Sequence, residues 1–193
     1  MFKKYLLSLL FILSLSVICV SIKAQNCKPD KETIDKFTKQ KVAFYNYDLK
    51  DGKVSLDVMF SLAVVNDTSI VAIVSFMRDV NEKNSALQPL KISKGQSLFI
   101  ANETSNIELK CVQDALSAQK RGTMDQNHVI LTITANYIVT PKDLEILSKE
   151  VFSDIQIRFD QTNPFTGKFK KKIAEKIKND VECLLPSLQK SSK

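Results

Sequence analysis

The sequence predicts an α+β fold that is mainly β. An antiparallel sheet or sandwich carries a short helix near 141–148 and a C-terminal amphipathic helix near 168–185. Three observations predict it. From Val54 through Leu56, Val58, Phe60 and Leu62 to Val64, every even position is apolar, the period of a strand with one buried face. A second stretch, Val129 to Val139, alternates in the same way, with Thr132, Thr134 and Asn136 on its polar side. Finally, Phe169, Ile173, Ile177, Val181 and Leu184 recur every three or four residues, a single helical stripe.

Residues 1–24 read as a secretory signal peptide. Lys3 and Lys4 precede an apolar and serine-containing run from Tyr5 to Ile22, and Ile22-Lys23-Ala24 offers a cleavage site before Gln25. Residues 25–193 then form a single β-rich domain, ending in the helix and a short disordered Ser/Lys tail. An exported chain of this kind is expected in the periplasm or outside the cell.

Asp30 to Lys41 is polar, with Ile34 and Phe37 three apart, and suits a short helix or an irregular lead-in better than a strand. Val42–Leu49 is extended and aromatic-rich. Asp51-Gly52 is a favoured two-residue hairpin turn, and it would set Leu49 opposite Val54, Tyr47 opposite Leu56 and Tyr45 opposite Val58. At Asn66-Asp67-Thr68 two registers compete. A two-residue loop at Asp67-Thr68 would flip the side chains of the second strand, whereas the preferred three-residue loop places Val64 opposite Ile70, Leu62 opposite Ala72 and Phe60 opposite Val74, leaving one face wholly apolar. The other face, with Met59, Val65, Val71, Ile73 and Met77, is half apolar, and the C-terminal helix is its expected cover.

Arg78–Leu87 reads as a polar connection, followed by a short extended piece to Ile92 and a turn at Ser93-Lys94-Gly95. Ser97–Ala101 and Asn106–Val112 form a hairpin around a four-residue loop, with Ile100 facing Ile107 and Leu98 facing Leu109. Gln113–Asn127 is the longest stretch without a β signal. Thr140-Pro141-Lys142-Asp143 starts the first helix, with Thr as N-cap, Pro at the first position and an acid in the first turn. Asp154–Phe159 is a strand, broken by Asn163-Pro164 and Gly167. Pro186 is expected to end the last helix.

Charge and chemistry exclude more than they assign. The formal net charge is +7, but Lys3, Lys4 and Lys23 belong to the signal. Eight lysines against Glu175, Asp180 and Glu182 concentrate the rest after Phe165, so a nucleic-acid-binding surface is not indicated. With one histidine, His128, and cysteines far apart, the usual zinc spacings are missing. The four glycines supply no phosphate-binding loop and no nucleophile elbow. No catalytic, cofactor-binding or metal-ligating residue is assigned. Asn66-Asp67-Thr68 and Asn102-Glu103-Thr104 fit the glycosylation pattern, but their turn roles account for them.

Three cysteines follow the signal. Cys111 shares the apolar strand face of Ile107 and Leu109 and reads as a small buried hydrophobe. That leaves Cys27 and Cys183 as the disulfide of an exported chain.

Several short motifs together resemble a group of exported β-rich proteins typical of Bacteroidota. They are Ala24-Gln25, the early cysteine followed by Asp35-Lys36-Phe37-Thr38, and Ile92-Ser93-Lys94-Gly95-Gln96-Ser97-Leu98 leading to Ile107-Glu108-Leu109. Tyr137-x-Val139-Thr140-Pro141-x-Asp143-Leu144, Ile155-x-Ile157-Arg158 and the closing helix with Cys183 complete them. The resemblance implies an exported envelope or secreted protein with a cysteine at each end, and it carries no activity.

The expectation is an exported, non-enzymatic binding or structural protein whose partner is a protein or a glycan. The alternative is a secreted hydrolase with its site in the 113–128 loop, using Asp125 and His128. A further expectation is contact with an anionic surface through Lys168, Lys171, Lys172 and Lys176 on the last helix.

Overall fold

The computed structural model describes residues 27–50, 56–81, 88–121 and 128–191. The segment read as a signal peptide and the expected Asp51-Gly52 turn lie outside these residues.

The central meander comprises β2 (Lys41–Lys50), β3 (Leu56–Val65) and β4 (Ser69–Asn81). Its β3–β4 register pairs Val64 with Ile70, Leu62 with Ala72 and Phe60 with Val74. The three-residue loop between them works because Asn66 and Asp67 take positive φ, 51° and 56°, which Asn and Asp tolerate. Asn66 also uses its side-chain oxygen to accept the Lys41 N–H at 2.8 Å, tying this turn to the start of β2. The β2–β3 register differs from the expected one. Leu49 pairs with Val58, Tyr47 with Phe60 and Tyr45 with Leu62, so the connection is four residues longer than an Asp51-Gly52 turn requires. A slip of four is even, and the same side chains therefore still face inward.

Ten described strands form one open sheet in the order β1-β2-β3-β4-β10-β7-β6-β11-β12, with β9 also on β10. Here β1 is Lys31–Ile34, β6 Ser97–Ala101, β7 Asn106–Cys111, β9 Ala118–Arg121, β10 His128–Ile138, β11 Asp154–Ile157 and β12 Phe165–Lys168. A separate pair joins β5 (Lys91–Ile92) to β8 (Ala115–Leu116). The β6–β7 hairpin has Ile100 opposite Ile107 and Leu98 opposite Leu109, as its pattern predicts. Asn102 shapes that loop by accepting the Thr104 and Ser105 N–H groups at 2.9 and 2.7 Å.

Four strands were not expected. β1 replaces the anticipated helix or lead-in, since the free edge of β2 offers it a complete ladder. β8 and β9 occupy part of the 113–127 stretch, where Gln119 pairs with Leu131 of β10. β12 takes residues first assigned to the last helix and to a break, with Gly167 opposite Ile155. Glycine leaves room for the Phe165 ring: a Cβ here would stand 2.8 Å from that ring and 3.3 Å from Leu49 Cδ2, so the ring would have to move. β4 likewise runs on to Asn81, because β10 pairs with it as far as His128.

The sheet curls so that its second half lies over its first. Phe76 of β4 meets Phe159 and Phe165 edge-on, with ring centroids 5.2 and 5.3 Å apart. Helix α1 (Pro141–Lys149) begins on a capping box, in which Thr140 and Asp143 exchange side-chain-to-backbone hydrogen bonds. Leu144 and Leu147 are its buried side.

Helix α2 (Lys171–Ser191) buries Ala174, Ile177, Val181 and Leu184, while Phe169 is buried just before it. The helix starts later than expected and passes through Pro186. Pro186 is exposed, and the apolar stripe continues past it to Leu188. Its position also differs from the expectation. Phe169 packs edge-on against Phe60 at 6.0 Å, which places the helix over the wholly apolar inner face. The half-apolar outer face stays open, with Met59 and Met77 about one third exposed at 37% and 36%.

Candidate functional site

Cys27 and Cys183 are joined in a disulfide, with Cα atoms 5.8 Å apart, an ordinary separation for such a bridge. Cys111 is free and buried, and burial raises the pKa of its thiol. Around the bridge lies a charged network. Lys176 reaches Asp180 at 3.0 Å and Asp30 at 3.1 Å, and its ammonium lies 4.7 Å from the centre of the Tyr47 ring. The buried Tyr47 hydroxyl donates to Asp180 at 2.9 Å, and the Asn46 N–H donates to Asp30 at 2.7 Å. The bridge and the network form a clamp that fastens α2 and the N-terminal segment to β2. A depression of 420 Å³ beside them is lined half by these paired groups (Cys27, Lys176, Asp180 and Cys183) and half by Lys172, Ile173, Glu175 and Asn179.

The clamp makes a pH-dependent contribution. Burial opposes ionisation of Asp30, but the Asn46 N–H and Lys176 outweigh it and hold the carboxyl below its ordinary range. Burial likewise disfavours the charged Lys176, yet Asp180 and Asp30 outweigh that and raise it. The Asp30 contribution is present above about pH 4 and is lost as pH falls through its lowered value. The Lys176 contribution is present below about pH 10 and is lost as pH rises through its raised value. The gap in urea midpoint between the wild type and Lys176→Met should be widest between these limits and narrow at both ends. A gap independent of pH would mean that the network contributes no charge-linked stability.

His128 lies at the start of β10, and its Nδ1 is 3.0 Å from Asp79 on β4. Both side chains are roughly two fifths exposed (42% and 38%), and the cross-strand pairing accounts for the contact. Asp125 lies outside the described residues. Among the described residues no three His, Cys, Asp or Glu side chains gather as a metal site would require.

The lysines of the last helix separate into different roles. Lys176 belongs to the clamp, and Lys168 lies in β12, 3.7 Å from Asp154. Lys171 and Lys172 are exposed at the start of α2.

The largest concavity described lies elsewhere, with a volume of 690 Å³. It opens at the end of the sheet where β4 begins and β10 finishes, between the first turns of α1 and the last of α2. Ile70, Val139 and Leu144 form its floor, with Ile138, Leu185 and Leu188 on its walls. Lys142 and Glu145 are charged groups in its lining. Ile138, on the outer face of β10, is 53% exposed. The sequence did not reveal this groove, whose lining comes from four chain segments that each look like ordinary core or surface. The volume falls within the roughly 300–1,000 Å³ of small-molecule sites, and a mostly aliphatic lining with few polar groups suits an apolar ligand.

Comparison of the chain with protein-family models, with curated proteins and with solved structures gives no match.

Proposed function

We propose that the chain is an exported, non-enzymatic binding module that holds the acyl chain of a lipid or fatty acid in the groove between α1, α2 and the sheet end. The observation that carries this reading is the groove itself, a 690 Å³ concavity with aliphatic floor and walls. An acyl chain matches that lining by apolar burial alone, worth roughly 0.8 kcal/mol per methylene. Lys142 in the same lining supplies a cation for a carboxylate or phosphate head. The Cys27–Cys183 bridge supports the export part of the reading, because disulfides persist in oxidising compartments.

The test uses a fluorophore-labelled long-chain fatty acid and a chain beginning at Gln25. Wild type should bind it saturably and release it to unlabelled fatty acid. Ile138→Glu places a carboxylate at an exposed groove position, so it should weaken binding by at least about tenfold while leaving the thermal transition nearly unchanged. No saturable binding, or equal affinity in the variant, would remove this reading.

A further inference from the structure

The hairpin joining β1 to β2 ends in an ordered tip. The Asp35 N–H donates to the Gln40 carbonyl and the Lys39 N–H to the Asp35 carbonyl, each at 2.9 Å. The Asp35 carboxylate accepts the Phe37 N–H at 2.9 Å, the Thr38 N–H at 2.6 Å and the Thr38 hydroxyl at 2.9 Å. Lys39 completes the turn with φ near 60°. These bonds hold a loop whose outermost side chain is a benzyl group: Phe37 is 93% exposed, and Ile34 at its base is 62% exposed.

The charges around the tip sort by sign. Asp35 directs its carboxylate into the loop, where the Thr38 and Phe37 bonds keep it ionised, and Glu32 pairs with Lys41 at 3.3 Å. Lys36 and Lys39 flank Phe37, and among the described residues neither makes an ion pair. An exposed apolar ring thus stands between two exposed lysines, which outnumber the single carboxylate of Asp35.

We propose that this tip is an anchor for an anionic membrane surface, with Phe37 entering the headgroup–acyl boundary while Lys36 and Lys39 meet lipid phosphates. A convex tip buries its ring in a deformable bilayer without needing a matching pocket, and the flanking lysines add attraction to anionic lipid. The tip also shares an end of the molecule with the groove. The Asn66 side chain beside the β3–β4 turn holds Lys41 at the base of the tip, and Thr68 of that turn lines the groove. The anchor stands on the hairpin alone and does not depend on what fills the groove.

Co-sedimentation of a chain beginning at Gln25 with phosphatidylglycerol-containing and pure phosphatidylcholine vesicles tests it. The wild type should bind the anionic vesicles more tightly and lose binding as salt rises. Phe37→Ser and the double substitution Lys36→Glu/Lys39→Glu should each weaken binding by about tenfold or more, at positions whose exposure leaves folding intact. Ile138→Glu, which alters only the groove, should keep vesicle binding. Three results would overturn the proposal: no binding of wild type to anionic vesicles, equal binding by Phe37→Ser, or a vesicle-free dimer that Phe37→Ser dissolves. The last of these would assign the tip to self-association.

Discussion

Replacing Cys27 and Cys183 together by serine should lower the unfolding free energy by about 4 kcal/mol. The bridge joins residues 156 apart, nearly the whole folded chain, and cross-linking so long a loop removes much of the freedom of the unfolded state. In the folded state it ties the N-terminal segment to α2, a helix docked on the core by its own buried stripe. The N-terminal segment reaches the sheet through β1, a short edge strand, through Asp30 on Asn46 and Phe44 of β2, and through Tyr45, which donates to the Cys27 carbonyl at a long 3.3 Å. Urea unfolding with and without reductant gives the magnitude. Thiol titration of a chain beginning at Gln25 gives the pairing: one thiol in denaturant before reduction and three after. An unchanged midpoint on reduction would show that the clamp is held by Lys176, Asp30 and Asp180 without the bridge.

How much of this was legible in the sequence depended on loop length. The β3–β4 register is the three-residue alternative at Asn66-Asp67-Thr68, chosen because it leaves one face wholly apolar, and the β6–β7 register follows from its four-residue loop. The β2–β3 register did not, because Asp51-Gly52 is a local signal that says nothing about a longer connection of the same parity. Short edge strands such as Lys31–Ile34 and Phe165–Lys168 carry little alternation of their own, and unpaired backbone on their neighbours recruits them.

Ile34 and Phe37 show the same limit. Their spacing of three suits a short helix or an irregular lead-in, whereas the hairpin turns both into solvent. Cys27 and Cys183 were legible by elimination, since Cys111 sits at an apolar strand position. The groove was not, because a concavity is a property of how α1, α2 and the sheet end meet.

Phe60→Ala should cost about 3–5 kcal/mol, an effect comparable to loss of the bridge. Phe60 is fully buried at the middle of β3, with strands paired on both sides. Its ring stacks on Tyr47 at 5.8 Å and meets Phe169 edge-on at 6.0 Å, so truncation leaves a cavity where sheet and helix segment join. The neighbouring Met59 points to the open outer face and is 37% exposed, and Met59→Ala should cost about 1 kcal/mol or less. The contrast between adjacent residues reports which face α2 covers. With the helix on the outer face, as the half-apolar pattern first suggested, Met59 would be the costly position. Equal costs at the two positions, measured by urea midpoint, would count against the packing of Phe169 on Phe60. A large cost at Phe60 alone would support a scaffold in which the inner face carries the stability and leaves the hairpin tip and the groove free to bind.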